Sequence, residues 1–289
     1  MKNVLILALT FIFMLFTVGC TKKEVPASAK PARVSATKAY ETYFGPAPTT
    51  DKGTCFAFVI YFPSAKEPGK VVPFPFFTFD AATIEKVAVE RLLGGMDIDG
   101  YRGEFLQPFT PGAHIVALSQ KNGIVEVDLG RDFLTSGATK EGMLHALVMT
   151  LAQFKGVTGV RLLSEGKAPD YAPAPLLPVT SAVLDPGPPR LLSVTAVKEK
   201  GAKEVAEVSA YFDRPVEIKG LNMTDPGGKP FAGELFQSVF DMAAVLKPKD
   251  PGQFTAGQRI RVRWKVADKL GRQAEGEDVR PLEIKEHEH

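Results

Sequence analysis

The chain has 289 residues, of which 45% are hydrophobic and 24% charged, and its formal net charge is only +2. Such a balance excludes a disordered polyelectrolyte and a nucleic-acid-binding surface, so partners are recognised by shape rather than by bulk charge. Two cysteines, Cys20 and Cys55, allow one disulfide at most, and none once either is modified.

At the N-terminus Lys2 and Asn3 precede an apolar run from Val4 to Val18. The run is shorter than the roughly 20 residues a membrane span needs and opens on a positive charge, as an export signal does. It closes on Gly19-Cys20, a small residue before a cysteine, the arrangement at which bacterial lipoproteins receive a diacylglycerol on the thiol before cleavage. Cys20 is therefore the candidate lipidation site and residues 1–19 the signal; Thr17, where such signals usually carry leucine, leaves an ordinary cleaved signal or an uncleaved anchor as alternatives. Thr21 is not the aspartate that commonly retains lipoproteins at an inner membrane, which permits outer-membrane sorting if two membranes exist. Residues 20–52, rich in Lys, Ala, Pro, Ser and Thr, read as a flexible tether.

Residues 53–167 read as an α+β domain. Phe56 to Phe62 is a buried-strand run, opened by Cys55 as a small core residue rather than a reactive thiol, and Val71 to Phe79, with Pro73 and Pro75, suits an edge strand. Ile84, Val87, Ala88 and Leu92 fall on one helix face after Asp80 as N-cap, and Gly94-Gly95 ends the pattern. His114 to Ser119 and Ile124 to Leu129 flank Asn122-Gly123, a hairpin turn. Leu144, Leu147, Val148 and Leu151 repeat at helical spacing, and Val157 to Leu163 is a closing strand. That order predicts one sheet with two helices on a single face.

Several stretches resemble the GerMN domain family: Val59-Ile-Tyr-Phe-Pro63, Ala88-Val-Glu-Arg-Leu-Leu-Gly-Gly95, Thr110-Pro-Gly112, Gly123-Ile-Val-Glu-Val-Asp-Leu129, Phe133-Leu134, Leu151-Ala-Gln-Phe-Lys-Gly-Val157 and Val160-Arg-Leu162. The resemblance covers about residues 55–167. It implies a fold akin to the ring-building motifs of secretion-like machines, and an adaptor that assembles or modulates envelope complexes rather than a catalyst.

Seven prolines between Ala168 and Pro189 mark a stiff linker, 168–189. Residues 190–285 then carry many short strand-like runs and read as a β-sandwich. Ala210-Tyr-Phe-Asp-Arg-Pro-Val216 and Ala256 to Val266, ending in Asp268-Lys-Leu-Gly271, resemble bacterial immunoglobulin-like domains and are similar to copper-resistance proteins of the CopC type. Those proteins bind copper through histidine, and Arg272 stands where they place one, so no copper role follows. Trp264 is core filler between sheets.

Catalytic motifs are absent: no Gly-x-Ser-x-Gly elbow, no His-Glu-x-x-His, no Walker loop and no Cys-x-x-Cys pair. His114 and His145 read as surface or boundary residues, and Glu286-His287-Glu288-His289 as a solvated tail, 286–289, rather than a metal site. Arg259, Arg261, Arg263 and Lys265 alternate with Ile260, Val262, Trp264 and Val266, which puts four cations on one face of a strand. Ordinarily such a ladder is a solvated face; the alternative is contact with anionic envelope polymer or lipid headgroups, and Glu204 and Glu207 are candidate neutralising acids.

These readings predict a lipid-anchored envelope protein, periplasmic or outward-facing, that binds an envelope protein complex, with no enzyme activity and no cofactor. The alternative is a binder of glycan or peptidoglycan, which calls for a groove with aromatic lining. An envelope hydrolase is a third class, calling for titratable residues clustered in a deep cleft.

Overall fold

A computed structural model describes residues 33–50, 53–80, 83–96, 99–101, 103–130, 133 and 138–287. The signal, Cys20 and residues 21–32 lie outside the described residues, as do residues 288 and 289.

Order begins earlier than the composition of the tether predicts. Arg33–Ala36 (β1) pairs in parallel with Thr54–Pro63 (β2), and Lys38–Phe44 (α1) follows, its N-cap Thr37 accepting from the Tyr40 amide. Tyr40 and Phe44, one helical turn apart, are 0% and 2% exposed, so residues 33–44 belong to the folded body rather than to the tether expected over 20–52.

Val71–Thr78 (β3) runs antiparallel to β2 and completes the three-stranded sheet β1-β2-β3. Ile84–Gly94 (α2) is N-capped at Thr83 rather than at Asp80, whose carboxylate accepts instead from the Thr83 hydroxyl. Ile115–Lys121 (β4) and Ile124–Leu129 (β5) form the expected hairpin, with Asn122 and Gly123 both at positive φ, as its two-residue turn requires. Lys140–Ala152 (α3) follows, and Gly159–Ser164 (β6) lies parallel to β5 in a second sheet, β4-β5-β6. The domain is α+β as predicted, but it holds two three-stranded sheets rather than one. They share a single core, and α3 packs against strands of both.

Beyond Ala57 the outer edge of β2 has no strand beside it, and α3 fills the gap with side chains. Thr150 Oγ1 accepts from the Tyr61 amide at 3.1 Å, and the Gln153 carboxamide accepts from the Val59 amide at 2.8 Å while donating to its carbonyl. A buried strand edge is thereby satisfied without a fourth strand.

The proline-rich segment is extended, as read, yet it is strapped onto this domain instead of spanning open solvent. Leu176 exchanges backbone hydrogen bonds with Val160, Leu184 donates to the Val71 carbonyl, and Ala172 and Ala182 are buried.

The second domain comprises Leu191–Glu199 (β7), Glu207–Phe212 (β8), Val216–Thr224 (β9), Gly233–Gln237 (β10), Ala243–Pro248 (β11), Arg259–Asp268 (β12) and Gln273–His287 (β13). They join in the order β10-β11-β8-β7-β13-β12-β9. The first part of β13 pairs antiparallel with β12 and its last six residues pair in parallel with β7, the change falling at Pro281, which has no amide to donate. Val194, Ala196 and Val208 from one arm of this seven-stranded sheet meet Ile260, Val262 and Trp264 from the other in a common core. Glu286 and His287 are paired β-strand rather than a solvated tail.

The described residues form one compact unit, and the two domains meet at a buried charge cluster. Arg214, 2% exposed, donates to Asp213 through Nε (3.0 Å) and Nη2 (2.9 Å), to the Gly187 carbonyl (2.8 Å) and to the Pro186 carbonyl (3.1 Å). Asp268 lies 3.7 Å away, and the guanidinium stands over the Phe44 ring at 5.6 Å. Asp268 is in turn held by Arg272, which reaches back to the Tyr43 carbonyl of α1. On one flank Arg190 bridges Glu104 at 3.1 Å; on the other the Phe240 ring stacks on Phe77 at 4.6 Å. Replacing Arg214 by alanine takes from buried Asp213 its two-pronged partner, leaving it Arg190 at 3.6 Å, and leaves the Pro186 and Gly187 carbonyls without their donor, so urea denaturation of R214A is expected to show a loss of about 3–5 kcal/mol, with R214K intermediate because lysine lacks the planar fork. A loss below about 1 kcal/mol, the range of an exposed pair, contradicts this role.

Candidate binding surfaces

The basic ladder sits on β12 as the alternation predicts. Ile260, Val262, Trp264 and Val266 are buried, whereas Arg259, Arg263 and Lys265 are exposed and Arg261 is half-exposed. Its neutralising acids are not Glu204 and Glu207 but Glu275 and Glu277, directly opposite on β13. Arg263 donates twice to Glu277 (2.7 and 3.0 Å), Arg261 lies 3.5 Å from the same carboxylate, and Lys265 lies 3.3 Å from Glu275. The Arg263 hydrogen bonds hold the Glu277 carboxyl below its ordinary value. Gly220, with no side chain, leaves a shallow hollow beside Asn222, Arg263, Lys265 and Glu275, so cations and carboxylates border the same depression. Trp264 lies beneath it, edge-on to Phe212 at 5.6 Å, with Nε1 directed at Asp278 (3.3 Å), and is core filler as expected.

Cys55 is 0% exposed and burial raises its thiol pKa, so at neutral pH it is a protonated core residue rather than a nucleophile. His145 binds the Gly69 carbonyl through Nδ1 at 2.7 Å, which ties α3 to the β2–β3 loop, and His114 Nδ1 lies 3.2 Å from the Gly112 carbonyl. Both histidines serve local structure. Among the described residues no three His, Cys, Asp or Glu side chains converge on a metal-sized site.

A second concavity lies beside α3, where Leu144, Val148, Tyr171, Leu176 and Leu177 make apolar walls and Lys140 stands 4.8 Å over the Tyr171 ring. Among the described residues Tyr171 is the one Phe, Tyr or Trp ring in that lining, which also includes the His145 imidazole. The signal for this groove was present in the sequence as an apolar stripe on α3, but the wall opposite it comes from the proline-rich segment.

Residues 59–170 match the family model described as Germane: Sporulation and spore germination, close to the 55–167 read from the sequence. Among solved structures, the chain is similar to the tandem GerMN domains of the sporulation protein GerM from Bacillus subtilis, with 18% identity and a TM-score of 0.35 over 43% of this chain. It spans 45% of that tandem structure, less than half its length. The first GerMN domain of the same protein gives 19% identity and a TM-score of 0.33, covering 43% of this chain and 94% of that domain. A further similarity is to CopC from Methylosinus trichosporium OB3b, with 16% identity and a TM-score of 0.24, covering 35% of this chain and 99% of that one. No curated protein matches the chain. Among the described residues no helix is long and apolar enough to cross a membrane.

The charge ladder yields a direct test. Replacing Glu275 and Glu277 with glutamine removes the carboxylates that hold the cations, and the double variant is expected to bind phosphatidylglycerol vesicles several-fold more tightly at low salt, with the gain lost near ~0.5 M salt. Unchanged vesicle affinity would make the ladder a solvated face only.

Proposed function

We propose, from the premise that residues 59–170 form a Germane domain, that this chain is a membrane-anchored envelope lipoprotein acting as a non-enzymatic protein-binding adaptor or assembly factor. The observation that carries the anchor is Gly19-Cys20 at the end of a short apolar run behind Lys2. With lipid on Cys20, residues 21–32 are the whole connection to Arg33 at the start of β1. At 3.3–3.6 Å per residue the 13 steps from Cys20 to Arg33 reach at most about 47 Å, so the folded body stays close to the bilayer and serves partners there. Two further features support an adaptor: His114, His145 and Cys55 are occupied in structural roles, and the Germane domain and its strap leave apolar side chains such as Val116 and Leu177 in solvent, 55% and 65% exposed.

The test is crosslinking in the native envelope with the tagged chain as bait, followed by mass spectrometry. A dominant protein partner is expected, lost in the Cys20→Ala form and in a Val116→Ala/Leu177→Ala form that keeps its far-ultraviolet circular dichroism. Equal capture by the substituted forms contradicts the adaptor reading, and recovery of cell-wall fragments alone replaces it with glycan binding.

A further inference from the structure

Exposed apolar side chains gather beside the point where the chain enters the folded body. Arg33, the first residue of β1, donates its amide to the Gly53 carbonyl at 3.0 Å. A β-carbon built on Gly53 would stand 4.0 Å from the ring of Phe79, which projects 59% exposed just beyond the end of β3. The Phe240 ring lies 5.9 Å from Phe79, and Val239 next to it in the β10–β11 turn is 53% exposed. An ion pair between Asp241 and Lys269 (2.7 Å) sets the β12–β13 turn, with Leu270 exposed, against the β10–β11 turn. Three separate loops thus offer apolar side chains to water in one neighbourhood, as interaction sites do. Neither concavity described above is lined by Phe79, Val239 or Leu270.

The patch and the apolar groove beside α3 lie toward opposite ends of β2. That strand begins at Thr54, level with Arg33, and runs to Pro63, a span of ~30 Å at the usual rise per residue. At its far end the β2–β3 loop meets the first half of α3. His145 Nδ1 lies 2.7 Å from the Gly69 carbonyl, and a β-carbon built on Gly142 would stand 3.4 Å from that of Pro63. His145 also lines the groove, together with Leu144 and Leu177.

We propose that this patch rests on the lipid bilayer, with Phe79 and Val239 at the boundary between headgroups and acyl chains, and that the contact turns the α3 groove away from the membrane. The proposal rests on the anchor at Cys20 and adds where the body touches the surface and how it is oriented. The argument for lipid as the occupant is the position of the chain's exit: the 13 steps from Cys20 end at Arg33, beside Phe79, so the tether presents this end of the body to the membrane. A flexible connection of that length holds the body at an effective concentration in the mM range. A few exposed apolar side chains, too few to recruit the body from solution, then suffice to keep it on the surface. A bilayer boundary also asks for no groove, and protruding side chains such as Phe79 enter it directly.

The experiment uses the full chain, purified with its own anchor and reconstituted in phosphatidylcholine vesicles that carry bromine on the acyl chains. Tryptophan is placed singly at 79, 239 or 177, and the parent, whose Trp264 is buried, gives the baseline. With the patch ~5–10 Å into the boundary, emission of Phe79→Trp and Val239→Trp is expected to be quenched at least ~threefold more than that of Leu177→Trp. Adding Phe79→Asp to the Val239→Trp chain is expected to abolish the quenching at 239, because a carboxylate resists transfer out of water. A chain that floats with the vesicles yet is quenched no more at 79 and 239 than at 177 overturns this proposal and leaves the anchor standing. Failure to float removes the anchor and the proposal together. A blue shift at 79 that bromine does not quench marks another protein or a second copy on the patch and overturns the proposal as well.

Discussion

The packing of Arg214 against Asp213, Asp268 and the carbonyls of Pro186 and Gly187 is the constraint on which the arrangement of the two domains depends. A guanidinium removed from water costs several kcal/mol unless its donors are met and its charge is opposed. Here both conditions hold only when three separate segments converge: the β8–β9 turn, the end of the proline-rich strap and the end of β12. Its planar face rests on Phe44 of α1, which belongs to the other domain. Apolar contact alone tolerates sliding; a fork of directional hydrogen bonds does not. The stacked pair Phe77 and Phe240 and the burial of Leu192 in the first domain's core add area around that fixed point. Phe240 adopts a positive φ (66°) to make the stack, a strained conformation for an aromatic residue that the surrounding contacts hold in place.

Much of the fold was legible because local patterns decide it. The period-2 alternation of 259–266, the Asn122-Gly123 turn and the apolar stripe of α3 each specify a local structure that tertiary packing does not overrule. What was illegible depends on residues far apart in the chain. The composition of 20–52 hides the ordered segment that begins at Arg33, and the turn spacing of Tyr40 and Phe44 behind Thr37 was the available signal for α1. Prolines predict that 168–189 is extended, yet whether an extended segment lies in solvent or on a neighbour is set by complementary surfaces, here the edges of β3 and β6. The split into two sheets was hidden for the same reason: side chains of Thr150 and Gln153 stand in for a missing strand, and nothing local in either residue announces it.

The candidate surfaces divide along the same line. The cations of β12 were visible as a sequence pattern; the acids that hold them, Glu275 and Glu277, become opposite neighbours only through β12–β13 register. A ladder so compensated presents little net charge, in keeping with a chain whose overall charge is close to neutral. With the domains fixed at Arg214, the apolar groove beside α3 and the mixed-charge hollow over β12 keep a constant separation.

The claim that the two domains are one cooperative body is tested most directly by differential scanning calorimetry of the full chain in detergent. A single transition is expected, with calorimetric and van't Hoff enthalpies in agreement. Two resolved transitions, one for each domain, would contradict the account.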